Sequence, residues 1–162
     1  MTLILGIDPG SRITGYGLVR VDGKKISYVA SGAIKLHTKS PLHLRLNTLK
    51  IELDRIISVY HPGSLVLEEI FMAKNPRSTM ILGEVRGVVL LTAAERGMDV
   101  FEYSAREVKG SVVGTGSAHK SQVAGMIVKL LSLEREPDTE DETDALAVAF
   151  CHAIKITGPG IV

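Results

Sequence analysis

A short apolar run, Leu3 to Ile7, breaks off at Asp8-Pro9-Gly10, and this break constrains the fold more than any other feature of the chain. An apolar run of this length reads as a buried strand, and Asp-Pro-Gly is turn chemistry. A carboxylate therefore stands where a buried strand leaves the sheet. Two further strand-like runs, Thr14 to Val21 and Lys25 to Leu36, flank Asp22-Gly23, a dipeptide that tolerates positive φ and favours a hairpin. The chain is expected to open as a three-stranded antiparallel meander.

From Pro41 the period changes. Leu42, Leu46, Leu49, Leu53, Ile56 and Tyr60 recur at spacings of three and four, which predicts an amphipathic helix stopped by His61-Pro62-Gly63. Leu65-Val66-Leu67 forms a second buried strand, ending at Glu68. Residues from about Arg77 to Arg96 are helical in composition, with apolar side chains around most of the circumference and Gly83 and Gly87 four apart, so two buried faces are implied. A short strand (Asp99 to Tyr103), a helical turn (Ala105 to Lys109), a helix from near Ser117 and a last helix from about Thr139 to Ile154 complete the pattern. Strands alternating with helices after an antiparallel start predict a mixed α/β sheet covered by helices. No linker divides the chain. Residues 1–157 are expected to form a single domain and 158–162 a short flexible tail.

The carboxylates at element ends are the candidates for chemistry. Asp8 and Glu68 each end a buried strand, and both project from one end of the sheet if those strands are neighbours. Asp141 and Asp144 stand three apart on the last helix, hence on one face of it. Beyond Asp144 the helix turns apolar, from Ala145 to Phe150, which packs it on the sheet with its acidic turn near the rim. Each acid taken alone has a plainer reading: a turn-forming aspartate, or a solvated helix start favoured by the helix dipole. Together they make an all-oxygen set suited to Mg²⁺ or Mn²⁺ and unsuited to zinc. Two such ions on shared carboxylates activate water in phosphodiester cleavage. The segment Gly114 to Ser121 is one residue from a phosphate-binding P-loop, but no clear strand precedes it.

A formal charge of +1, from 19 basic and 18 acidic residues, speaks by itself against a polyanion-binding protein. The distribution says otherwise. Residues 1–133 carry +6 and residues 134–162 carry −5, with all seven late carboxylates between Glu134 and Asp144. One cysteine, Cys151, excludes an intrachain disulfide and fits a reducing cytosol as a buried thiol. No segment reads as a signal peptide or a membrane span, and a cytoplasmic protein is expected.

Several stretches taken in order resemble the RuvC family of bacterial Holliday-junction resolvases: Leu5-Gly-Ile-Asp-Pro-Gly-Ser-Arg12 with Thr14-Gly-Tyr-Gly17, Glu68 with Phe71-Met-Ala-Lys-Asn75, Gly87-Val88, Phe101-Glu-Tyr103, Val112-Val-Gly114 with Lys120-Ser-Gln-Val123, and Asp141 with Asp144-Ala-Leu-Ala147. The resemblance covers almost the whole chain. It implies a ribonuclease-H-like fold with a mixed five-stranded sheet, and a Mg²⁺-dependent crossover junction endodeoxyribonuclease in which Mn²⁺ substitutes and two ions occupy each site. It assigns the metal ligands to Asp8, Glu68, Asp141 and Asp144, phosphate or junction contacts to Lys109 and Lys120, and a base-contacting wedge to Phe71. It also implies a homodimer, four-way junction DNA as substrate, paired symmetric nicks leaving 5′-phosphate and 3′-hydroxyl ends, and the RuvA–RuvB branch-migration complex as partner. Symmetric nicking gives a reason for the dimer, with the helix of Gly83 and Gly87 as its interface. The alternatives are a related ribonuclease-H-fold nuclease acting on RNA or other branched DNA, and an inactive junction-binding module. Setting aside four metal ligands leaves 14 acidic against 19 basic residues, the balance of a basic DNA-binding body around an acidic site.

Overall fold

The structure is a computed structural model that describes residues 1–69 and 75–158. Among the described residues, five strands form one mixed sheet. β1 (Thr2–Asp8), β2 (Ile13–Asp22) and β3 (Lys25–Lys35) are the expected antiparallel meander, while β4 (Ser64–Glu68) and β5 (Asp99–Tyr103) add parallel strands on the other side of β1. The β2–β3 hairpin turns on Gly23-Lys24, with Asp22 pairing Lys25 across it. Gly23 carries the positive φ of 59° that the turn requires.

Strand alternation splits the core into two layers. Ile4, Val19 and Val66 face the cluster built by α3 (Ala105–Val113), α4 (Lys120–Leu130) and α5 (Glu140–Thr157). Leu5, Ile7, Leu18, Leu65 and Leu67 face the opposite cluster, built by α1 (Leu42–Tyr60) and α2 (Pro76–Glu95). Local chemistry sets the helix ends. α1 ends at Tyr60, stopped by His61-Pro62-Gly63 as expected, with His61 itself in the left-handed conformation (φ 50°) ahead of Pro62. Asn75 caps α2 by accepting from Arg77 N–H at 3.0 Å. α3 runs past Lys109 to Val113, closed by Gly114 at φ 86°. Of the expected tail, 158–162, all but Gly158 lies outside the described residues.

α5 is the most deeply buried helix, and glycines let it approach. Gly6 of β1 pairs with Gly17 of β2, and both lie under α5. A Cβ on Gly6 would collide with the carbonyl oxygen of Ala145 and come within 2.8 Å of Ala149 Cβ; one on Gly17 would lie 2.8 Å from the backbone nitrogen of Leu146. On the far edge, α5 carries a histidine that is not a surface residue. His152 is buried, Nδ1 lies 2.8 Å from the Tyr103 hydroxyl, and the ring centroid sits 4.2 Å from that of Phe101. Cys151 is buried as expected, with Ser111 Oγ 3.2 Å from its sulfur.

The glycine contacts generate a comparison of two single-methyl changes. Gly6→Ala should lower stability by about 1–3 kcal/mol or more, since its new methyl meets the backbone of a helix that cannot move independently. Gly125→Ala on α4, where a Cβ meets no described atom within 4 Å, should leave stability unchanged or raise it by up to about 1 kcal/mol through helix propensity. Chemical denaturation of the two variants beside the parent checks both.

Candidate active site

Asp8 closes β1 on the α5 side of the sheet, two positions along from Gly6 on the same face. The loop beyond it is tied back by Thr14, whose buried hydroxyl accepts from Gly10 N–H and donates to Gly10 C=O, both at 3.3 Å. Glu68 ends β4 one residue past the Ile7–Leu67 pair, so the two carboxylates leave adjacent strands at one edge. The alternation also separates Glu68 from its neighbour. Val66 and Glu68 share the α5 face, whereas Glu69 lies past the strand and donates its N–H to Tyr103 C=O at 2.8 Å.

The other two acids arrive from above. Asp8 pairs with Gly15 of β2, and a Cβ on Gly15 would collide with the carbonyl of Asp141 and lie 2.9 Å from its Cβ. The first turn of α5 is thereby seated on the strand beside Asp8, with Asp144 one turn further along. Glu142, in the same first turn, is buried. It accepts from its own helix cap, Thr139, and from Ser31 Oγ of β3 at 3.2 Å, pinning the start of α5 across the sheet.

Four carboxylates crowd this rim and their charges act on one another. Burial, then the charges of Asp144, Asp141 and Glu68, push the Asp8 carboxyl up to about 7, with Lys120 acting in the other direction. Glu68 is raised by burial and then by Asp144, against the pull of Lys120 and Lys109. Lys120 stands at the start of α4, where His119 N–H is held by Gln122 Oε1 at 2.8 Å. Its ammonium lies 3.0 Å from Asp144 Oδ2, and this bond raises the lysine. Lys109, on α3, is half-buried with its charge felt at Glu68. The loop from Gly114 to His119 joins two helices, so the P-loop likeness ends there. Phe71 lies outside the described residues.

Among the described residues, no three Asp, Glu, His or Cys side chains are drawn close enough to enclose a metal ion as they stand. The chemistry of the site nevertheless suits a hard divalent cation. All four donors are carboxylate oxygens, Asp8 is held with difficulty in its charged form, and Lys120 supplies to Asp144 the positive charge that the cluster lacks.

A consequence holds with chelator present. The folded pKa of Asp8 lies above its ordinary 3.8, so the folded state binds this proton more tightly than the unfolded chain. That contribution is complete below about pH 4 and is lost as pH rises through about 7. Asp8→Asn should therefore raise the metal-free melting temperature at about pH 8, and the gain should shrink toward about pH 4. Thermal melts of both proteins across this range measure it.

Comparison with known proteins places this site in a family. The model for "Crossover junction endodeoxyribonuclease RuvC" matches residues 4–152. The RuvC of Marinobacter nauticus is 50% identical over 153 residues, covering 94% of this chain and 86% of that protein. The RuvC of Legionella pneumophila strain Philadelphia 1 is 47% identical, covering 94% and 87%. Among solved structures, Thermus thermophilus RuvC in complex with a Holliday junction substrate superimposes with a TM-score of 0.91 at 29% identity, covering 97% of this chain and 96% of that one. The yeast mitochondrial Holliday junction resolvase Ydc2, at 15% identity and a TM-score of 0.65, covers 93% and 78% and shares the fold. The fold is the ribonuclease-H-like one expected from the motifs, and the chain belongs to the RuvC family of crossover junction endodeoxyribonucleases.

Proposed function

We propose that this chain is a Mg²⁺-dependent, structure-selective DNA endonuclease that resolves Holliday junctions by paired symmetric nicks in recombination and repair. The carrying observation is the acidic rim itself, where Asp8 and Glu68 end adjacent strands and the first turn of α5 brings Asp141 and Asp144 beside them, so that burial and the three neighbouring charges raise the Asp8 carboxyl to about 7. Family membership supports the same reading. The RuvC relatives carry the name crossover junction endodeoxyribonuclease, and the T. thermophilus member is seen with a Holliday junction substrate.

Asp8, Glu68, Asp141 and Asp144 would hold Mg²⁺, with Mn²⁺ able to substitute and two ions per site. Bound there, the ions supply activation of water and charge stabilisation at the leaving oxygen, giving 5′-phosphate and 3′-hydroxyl ends. The chain's own side chains do the rest. Lys120 exchanges its carboxylate partner for a phosphate oxygen of the substrate, and Lys109 contacts the same backbone. Phe71 stacks on an unpaired base at the branch. The excess of basic over acidic residues outside the four ligands attracts the polyanion as a whole.

Paired nicks need two sites, and α2 offers the surface that would relate them. Its inner face buries Val85, Val89 and Ala93, while Met80 and Leu91 are 69% and 56% exposed on a stripe that also carries Gly83 and Gly87. Small residues there let two helices approach. Residues 1–157 act as one nuclease domain with 158–162 as a tail, and the RuvA–RuvB branch-migration complex is the proposed partner. Among the described residues no helix is long and apolar enough to cross a membrane, and the proposed workplace is the cytoplasm.

The decisive experiment incubates the protein with a synthetic mobile four-way junction and with a linear duplex of the same sequence, each with Mg²⁺ or with chelator. Cutting of the junction alone, in Mg²⁺ alone, is expected. Equal cutting of both substrates would remove junction selectivity, and cutting in chelator would remove the metal. Asp8→Asn should bind the junction and leave it intact. For the dimer, Gly87→Leu should shift the sedimentation coefficient from dimer to monomer with the helical content kept.

A further inference from the structure

Arg86 lies on the inner side of α2, nine-tenths buried. Its guanidinium spans two strands. Nη1 donates to the backbone carbonyl of Glu68 at 2.9 Å, and Nη2 meets Glu102 Oε1 of β5 at 2.6 Å. The side chain of Glu68 faces α5 while its backbone is gripped from the α2 side.

Strand register explains why this carbonyl needs a side-chain donor. In a parallel ladder, alternate residues of a strand bond to alternate neighbours. Glu69 N–H is bonded to Tyr103 C=O, toward β5, so the polar groups of Glu68 face β1. Continuing the Ile7–Leu67 register, the donor opposite the Glu68 carbonyl would be the N–H of residue 9. Residue 9 is proline and has none. The turn that ends β1 at Asp8 thus leaves the last carbonyl of β4 without a ladder donor, and Arg86 fills the place. A buried guanidinium brings an unpaired charge, which Glu102 balances. The fork geometry of arginine lets one side chain serve the carbonyl and the carboxylate together.

We propose that Arg86 is a positioning residue for the nuclease reaction. By anchoring the Glu68 carbonyl to Glu102, it fixes the end of β4 and so the direction in which the Glu68 carboxylate leaves the strand. Arg86 touches neither substrate nor metal; it acts through Glu68, and the inference rests on Glu68 being a metal ligand. Loss of the anchor leaves an orphaned carbonyl at the point where β4 passes into residues 70–74, and the carboxylate loses its fixed aim while the other three acids keep theirs.

The test compares Arg86→Met, Arg86→Lys and Glu102→Gln with the parent and with Glu68→Gln. Mn²⁺ binding to the DNA-free protein is measured by calorimetry, the Mg²⁺ dependence of junction cutting by titration, junction binding in chelator by mobility shift, and folding by thermal melts. Arg86→Met should weaken Mn²⁺ binding by about 10-fold or more, the usual scale for a residue that orients a ligand, and raise the half-saturating Mg²⁺ concentration alongside. Junction binding in chelator should not change. Arg86→Lys should recover part of the loss, because one ammonium reaches the carbonyl or Glu102 but does not bridge them as the fork does. Glu102→Gln keeps the arginine and its bond to the carbonyl, so it should fall between parent and Arg86→Met and reports even if Arg86→Met fails to fold. Parent-like Mn²⁺ affinity and Mg²⁺ dependence in folded Arg86→Lys and Glu102→Gln, with only the melting temperature lowered, would make Arg86 a structural residue and overturn the proposal. Parent-like Mn²⁺ affinity in Glu68→Gln would strike the ligand reading beneath it instead.

Discussion

The close seating of α5 on β1 and β2 is the contact on which the rest of the structure depends. Helices ordinarily lie on a sheet at a distance set by the side chains between them. Here Gly6, Gly15 and Gly17 remove those side chains along one track, and the backbone of α5 at Asp141, Ala145 and Leu146 descends into the space. The effect is directional. Gly15 pairs with Asp8 in the ladder, so the glycine that admits the helix also sets its first turn beside the strand's terminal carboxylate. A side chain at any of the three positions would lift the acids of α5 away from those of the sheet. Packing and site geometry are in this sense one constraint.

Bringing the acids together works against stability. A buried carboxylate beside three others is unfavourable in its charged form, and Asp8 shows the result in a pKa near 7. Part of the opposition is offset locally by Lys120, which bonds Asp144, and part mechanically by interactions that do not touch the four acids. Thr14 closes the loop after Asp8, and Glu142 anchors the α5 start to Ser31. The rim is held from outside because its members repel one another. A divalent cation is the species that would turn that repulsion into attraction, and so the same charges that strain the folded chain define what it selects.

Much of this was legible in the sequence because it follows from period. The apolar runs Leu3 to Ile7 and Leu65 to Leu67, each closed by a carboxylate, are enough to put Asp8 and Glu68 at strand ends, and the spacing of Asp141 and Asp144 puts them on one helix face. The choice of Glu68 over Glu69 became physical only when the register was known, since period two assigns Glu68 the face of Val66 and α5. Contacts between residues distant along the chain left no local trace. The burial of Glu142 leaves no mark in the local pattern, because Ser31, which it bonds, is 111 positions away. His152 is unmarked in the same way, since Tyr103 and Phe101 arrive from another strand. Arg86 has a backbone carbonyl and a glutamate on two other elements as partners, and neither shows in the pattern of its own helix.

Arg86 also shows how a local sequence choice has consequences one strand away. Pro9 suits the turn that ends β1, and by lacking an N–H it leaves the carbonyl of Glu68 to be satisfied from α2. The helix that supplies the donor is the one whose opposite face carries the exposed stripe of Met80, Gly83, Gly87 and Leu91. One rigid helix therefore has the end of β4 on one side and the proposed subunit contact on the other. In an enzyme that must cut two strands at symmetric positions, this arrangement refers the placement of Glu68 to the element that would carry the two-fold axis. The distance between the two sites and the aim of each carboxylate would then depend on the same helix.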